Sequence, residues 1–226
     1  MKTIYPMRTI RIILITIGLA AFSGMARAQY PTYWHQRATL FEAQPVSAGD
    51  IVFLGDSITD GGEWCELFGG CRFKNRGISG DISQGVYDRL DAVVSGRPAK
   101  IFLMIGVNDL SRGVPEDTIV ANIGKIIDKV HADSPGTRFY LQSILPVNED
   151  KGMFQGHTAR RADIAPLNDR LRALAADKGA VYIDLYGSFT VEGTDKLNPD
   201  YTNDGLHLLG PGYLLWKKIV EPYVNE

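Results

Sequence analysis

Four short apolar runs do most to limit the folds open to this chain. They are Asp50–Gly55 (DIVFLG), Lys100–Gly106 (KIFLMIG), Arg138–Leu145 (RFYLQSIL) and Ala180–Leu185 (AVYIDL). Runs that are continuously apolar, rather than alternating, suit strands covered on both faces of a parallel sheet. Arg72–Arg76 is a weaker, more polar run and predicts a more exposed strand near an edge. Between the runs the period changes. In Pro115–Ala132, Ile119, Ile123, Ile126, Ile127 and Val130 recur at three- and four-residue spacing, with Glu116 and Asp117 beside the start of an amphipathic helix. Arg160–Lys178 repeats the pattern and stops at Gly179, while Ser83–Val94, Gly212–Val220 and Tyr30–Ala43 are further helix candidates. Strand–helix alternation with short connections implies right-handed crossovers and a three-layer α/β sandwich. Ligands of such sheets bind outside the carboxyl ends of the strands.

The first 28 residues read as something other than this fold. Lys2, Arg8 and Arg11 precede an apolar run of 11 residues, Ile12–Phe22, and Ala26-Arg27-Ala28 follows. A spanning helix needs about 20 apolar residues. The pattern predicts a secretory signal cut after Ala28. Cutting there would shorten the chain from 226 to 198 residues and, by removing Arg27 with the other three cations, take the formal charge from -2 to -6. The expected product is an exported, periplasmic or extracellular domain spanning residues 29–226, with no stable membrane anchor. A near-neutral balance without a long basic run offers no footprint for nucleic acid. The two cysteines, Cys65 and Cys71, lack the spacing of a zinc site. In an oxidising compartment they are expected to form one disulfide behind the Ser57 turn.

Four separated segments carry chemistry. Gly55-Asp56-Ser57 follows the first strand run, where a serine serves either as a helix cap or as an exposed nucleophile. The G-x-S-x-G elbow is absent, so the α/β-hydrolase pattern fails at its main motif. Asn75-Arg76-Gly77-Ile78-Ser79-Gly80-Asp81 carries two glycines around a turn that either needs positive φ or brings N–H groups close to a ligand. Gly106-Val107-Asn108-Asp109 ends another strand run, and its Asn either caps a helix or donates to an oxyanion. Asp204-Gly205-Leu206-His207 sets a histidine three residues after a carboxylate, either a surface pair or a base with its orienting acid.

Together these blocks resemble the SGNH, or GDSL-type, hydrolase family, in the branch of platelet-activating-factor acetylhydrolases and carbohydrate acetylesterases. The blocks occur in family order from Gly55 to His207, with GDSIT in place of GDSL. The resemblance implies a flavodoxin-like sandwich of about five parallel strands and no metal or organic cofactor. It implies Ser57 as nucleophile, His207 as base and Asp204 as its orienting acid. The oxyanion hole would be the Ser57 N–H, the Gly80 N–H and the Asn108 amide.

Weaker expectations attach to other residues. Trp64 and Phe68 follow the nucleophile turn and either wall a substrate pocket or pack in the core. His157 lies in a polar segment after the strand run 138–145 and either contacts substrate or is a solvated loop residue. Asp56 and Asp109 are expected to brace turns. The leading functional expectation is a secreted serine esterase acting on small acyl esters, acetyl above all, with an acetylated sugar as substrate. A lysophospholipase or thioesterase of the same family and a non-catalytic carbohydrate- or lipid-binding module are the alternatives.

Overall fold

The computed structural model describes residues 30–226 together with Met1. The expected signal segment, 1–28, therefore lies outside the described residues apart from Met1. Five strands form one sheet: β1 (Ile51–Gly55), β2 (Phe73–Gly77), β3 (Lys100–Met104), β4 (Arg138–Gln142) and β5 (Val181–Ile183). Their order is β2-β1-β3-β4-β5 and every pairing is parallel. This is the flavodoxin-like order, in which the chain reverses direction across the sheet beside β1. The weak run at Arg72–Arg76 does lie at an edge.

The helices are α1 (Thr32–Ala43), α2 (Ser57–Asp60), α3 (Trp64–Phe68), α4 (Ser83–Asp88), α5 (Asp91–Val94), α6 (Val107–Ser111), α7 (Glu116–Asp133), α8 (Gln155–Thr158), α9 (Arg161–Asp177), α10 (Tyr186–Phe189) and α11 (Gly210–Asn225). The one helix expected over Ser83–Val94 is two, because the chain turns at Arg89 and Leu90 between them. Helix α7 packs against α4 on one side and α9 on the other, while α3 and α11 meet each other. Among the described residues no helix is long and apolar enough to cross a membrane.

Register builds an aromatic ladder across the sheet. Phe53 pairs with Phe102, and Phe102 with Tyr140, so their side chains share one face. Their rings stack at 5.1 and 4.4 Å. Trp64 from α3 continues the stack on Phe53 at 3.9 Å, and Trp216 from α11 meets Trp64 edge-on at 4.8 Å. Both indoles satisfy their N–H groups internally, on the Thr59 carbonyl and the Gln142 side chain.

Of the two alternatives for Trp64 and Phe68 this supports core packing and corrects the pocket wall. Trp64 is only 1% exposed, and Phe68 stacks on Phe53 and Phe73. Trp64 belongs to the core and the half-buried Phe68 packs against it, because the ladder offers them a continuous aromatic surface. The expected disulfide is also not formed: Cys65 and Cys71 are free and exposed. The Cys65 thiol donates instead to the Phe73 carbonyl. That bond ties α3 to β2 directly.

The carboxyl ends of the central strands are level. Gly55 is in register with Gly77 on one side and Met104 on the other. At Gly77 the α2 backbone lies directly over the strand end, and a Cβ there would run into the main chain of Asp60. Gly77→Ala should therefore lower unfolding stability by roughly 1–3 kcal/mol or more, the usual cost of overpacking. Gly49→Ala, facing open space, should change it little. Denaturant melts of the two variants check this.

Candidate active site

Strand β1 delivers Ser57 without using its hydroxyl. The residue that caps α2 is Asp56, whose side chain accepts from the Ile58 N–H at 3.0 Å. Ser57 is the first helical residue, so its own N–H has no acceptor within the helix. The alternative in which Ser57 is spent as a cap is thereby removed. Its Oγ lies 3.0 Å from Nε2 of His207.

His207 is held from the other side. Its Nδ1 is 2.8 Å from Asp204 Oδ2, and Asp204 Oδ1 accepts from the backbone N–H groups of Leu206 and His207, each at 2.8 Å. Burial works against the Asp204 charge, but these N–H groups and the imidazole outweigh it and hold the carboxyl below its ordinary value. The turn that makes this geometry needs Gly205. Its φ is +86°, and a Cβ there would strike the Asn148 carbonyl. Asn148, just beyond β4, pins the loop by donating its N–H to the Gly205 carbonyl at 2.8 Å. A segment distant in sequence from Ser57 is thus carried over the end of the sheet.

Gly80 and Asn108 approach from the turns after β2 and β3. Asn108 is not the cap of α6, which is Gly106. It is buried, its Nδ2 donates to the Asp81 carbonyl at 2.9 Å, and its Oδ1 lies 2.9 Å from His157 Nε2. His157 is therefore not in a solvated loop; α8 brings it to Asn108. The Gly80 peptide is clamped through its carbonyl, which accepts from Arg112 at 2.6 Å. Ser57, Gly80, Asn108, Phe154, His157 and His207 line one open cavity of about 320 Å³. Each of the four sequence blocks thus supplies a wall of the same cavity. Among the described residues no group of three or more His, Cys, Asp and Glu is placed to hold a metal ion.

Beneath the cavity lies a polar network that the sequence blocks reach only through Asp81 and Asp109. Asp81 is buried and ion-paired to the equally buried Arg89 at 2.8 Å. Arg89 also donates to the Gly55 carbonyl at 3.0 Å, and Trp34 of α1 donates to Asp81 at 3.0 Å. Asp109 accepts from the N–H and hydroxyl of Ser83, bracing its turn against α4. Asp81 closes the second motif block, but Arg89 and Arg112 lie outside the blocks, and only burial marks out the pairing of Asp81 with Arg89.

The chain resembles several known proteins. A family model described as GDSL-like lipase/acylhydrolase matches residues 53–215. The bovine (Bos taurus) platelet-activating factor acetylhydrolase IB subunit alpha1 is 28% identical over 172 residues, covering 73% of this chain and 70% of that protein. A solved protein from Streptococcus pneumonia, assigned as a platelet activating factor, is 33% identical with a TM-score of 0.78, over 85% of this chain and 92% of its own. A GDSL-like lipase from Bacteroides thetaiotaomicron is 26% identical with a TM-score of 0.73, over 85% and 97%.

Asp56 gives the site a pH signature. Burial pushes its carboxyl up to about 7, with the charges of Asp81 and Asp109 adding to the effect and the Ile58 N–H opposing it. Between the unfolded carboxyl's ordinary pKa of about 3.9 and that value, the folded chain holds a proton that the unfolded chain has lost. Stability from this group therefore falls as pH rises from about 4 to about 7, by up to about 4 kcal/mol, and then levels. Asp56→Asn keeps the cap acceptor and should flatten that decline. Urea melts across pH 4–8 measure the difference, and parallel curves for the two proteins would contradict it.

Proposed function

The chain belongs to the GDSL-like lipase/acylhydrolase family and is a carboxylic ester hydrolase, and on that premise we propose that it is a serine esterase acting on short acyl esters, acetyl above all. The observation that carries the catalytic reading is the unbroken line from Asp204 through His207 to Ser57, with bonds of 2.8 and 3.0 Å. His207 takes the Ser57 proton as Oγ attacks the ester carbonyl. The tetrahedral oxyanion forms against the Ser57 N–H, the Gly80 N–H and the Asn108 Nδ2–H, donors fixed before the charge develops. Collapse of that intermediate expels the alcohol, which His207 protonates. Water, activated by the same imidazole, then releases the acid and restores Ser57. Asp204 keeps the imidazole in the orientation both steps need.

Cavity shape supports a short acyl group. The space is open and of moderate volume, and Phe154 and Leu206 are the large apolar side chains in its wall, alongside the polar Ser79, Ser111 and Arg112. Such a wall favours a polar alcohol half, and an acetylated sugar is the substrate class we favour. The name of the bovine relative also specifies removal of acetyl. Lys2, Arg8, Arg11 and the Ile12–Phe22 run support export, with residues 29–226 as the catalytic domain. Exposed Phe154, its ring 4.9 Å from that of His207, with exposed Met153 next to it in the chain and exposed Leu209 two residues after His207, favours the second reading, a lysolipid or thioester substrate.

Two experiments test these levels separately. Ser57→Ala should keep the fold and lower p-nitrophenyl acetate turnover at least about a thousandfold, as loss of a nucleophile does elsewhere; a folded variant near wild-type rate would remove the serine mechanism. A p-nitrophenyl ester series from two to twelve carbons should give kcat/KM highest at acetyl or butyryl. A pocket built for fatty chains would gain about 0.8 kcal/mol per buried methylene, so a maximum at eight carbons or longer would put the lipid reading first.

A further inference from the structure

His157 reaches the cavity from α8, and its bond to Asn108 fixes more than a contact. The two atoms of the Asn108 amide can be told apart by their partners. The Asp81 carbonyl oxygen, 2.9 Å away, can only accept, so the atom facing it is Nδ2. The atom facing His157 Nε2 at 2.9 Å is then the oxygen. An amide oxygen needs a donor, so the imidazole carries a proton on Nε2. Asn108 is thereby gripped at its nitrogen by an acceptor and at its oxygen by a donor. The second Nδ2 hydrogen is not engaged by either partner, and Asn108 lines the same cavity as Ser57 and Gly80.

We propose that His157 is a positioning residue: its Nε2–H holds Asn108 Oδ1, so that the free amide hydrogen of Asn108 is aimed at the oxyanion. The inference rests on the reading of Asn108 as an oxyanion donor. With the Asp81 bond alone, the amide plane is free to rock about that single contact. A second anchor on the opposite atom fixes the plane, and donation to Oδ1 also polarises the amide and strengthens its N–H as a donor.

The local backbone is built around this contact. Phe154 caps α8 with its carbonyl, accepting the His157 N–H at 2.8 Å. It does so at φ +50°, a conformation a bulky residue rarely adopts. Its ring meets His157 and His207 edge-on, at 6.0 and 4.9 Å. Strained residues persist where the surroundings over-determine them, and here the surroundings are the two imidazoles. Burial, with His207 and Arg112 nearby, lowers the pKa of His157 and favours its neutral form, in which the placement of the single proton matters.

A double-mutant cycle on p-nitrophenyl acetate turnover tests the proposal. His157→Ala should lower kcat about tenfold with KM little changed, a smaller loss than the ~10²–10³ expected for Asn108→Ala. In the Asn108→Ala background, His157→Ala should cost less than about twofold, because the group it positions is gone. His157→Gln, whose terminal amide can donate to the same oxygen, should recover most of the loss. An equal loss in both backgrounds, or a raised KM at unchanged kcat, would mean that His157 serves substrate directly and would overturn the proposal. A normal rate in His157→Ala beside a slow Asn108→Ala would overturn it while sparing the oxyanion reading. A normal rate in Asn108→Ala would overturn both. Should the alanine variant fail to fold, long-range proton–nitrogen NMR of the wild type decides the matter: Nε2 protonation is expected, and a neutral ring protonated at Nδ1 would overturn the proposal.

Discussion

Asp81 is the point from which the site hangs. Its carbonyl accepts from Asn108, which comes from the end of β3. Its carboxylate pairs with Arg89, and Arg89 in turn donates to the Gly55 carbonyl, two residues before Ser57. Gly80 precedes it directly, and Trp34 of α1 closes the cluster from outside. The turns after β1, β2 and β3 are therefore held to one another through a single buried residue. Removing one partner of such a buried pair costs about 3–5 kcal/mol, because the other charge is left without compensation. That makes the spacing of Ser57, Gly80 and Asn108 a property of the fold's interior rather than of flexible loops.

The sheet supplies the other half of the constraint. Level carboxyl ends at Gly55, Gly77 and Met104 set three turns side by side. The fourth segment, with Asp204 and His207, has no strand of its own at that point. It is brought over by the bond between Asn148 and Gly205. The polar line from carboxylate to hydroxyl thus crosses from a pinned loop to a strand end.

Much of this was legible in the sequence. The runs of β1, β3 and, after Arg138, β4 are buried on both faces, as continuous apolar runs say without any long-range information, whereas the run of β5, at the other edge of the sheet, is only half-buried. The four motif blocks name residues that the fold brings to one cavity. What escaped was whatever depends on side-chain direction. Trp64 follows Ser57 closely in the chain, which suggests a pocket wall, but the register of Phe53, Phe102 and Tyr140 draws it into the core. Cys65 and Cys71 suggested a bridge by compartment, yet Cys65 faces the Phe73 carbonyl. His157 sits among glycines and charged residues that read as solvated loop, and only the packing of α8 on α6 reveals its partner. The Asp81–Arg89 pair is invisible for the same reason: burial of a charge is a tertiary fact.

The central claim is that the Oγ of Ser57 is the atom that takes the acyl group. A p-nitrophenyl alkylphosphonate, which forms a stable adduct with an activated serine, tests it most directly when peptide mapping by mass spectrometry is run alongside the residual ester turnover. The account predicts one adduct per chain, on the peptide that contains Ser57, with activity lost in step with its formation. Inactivation with that peptide unmodified, or full modification of Ser57 with activity retained, would contradict it.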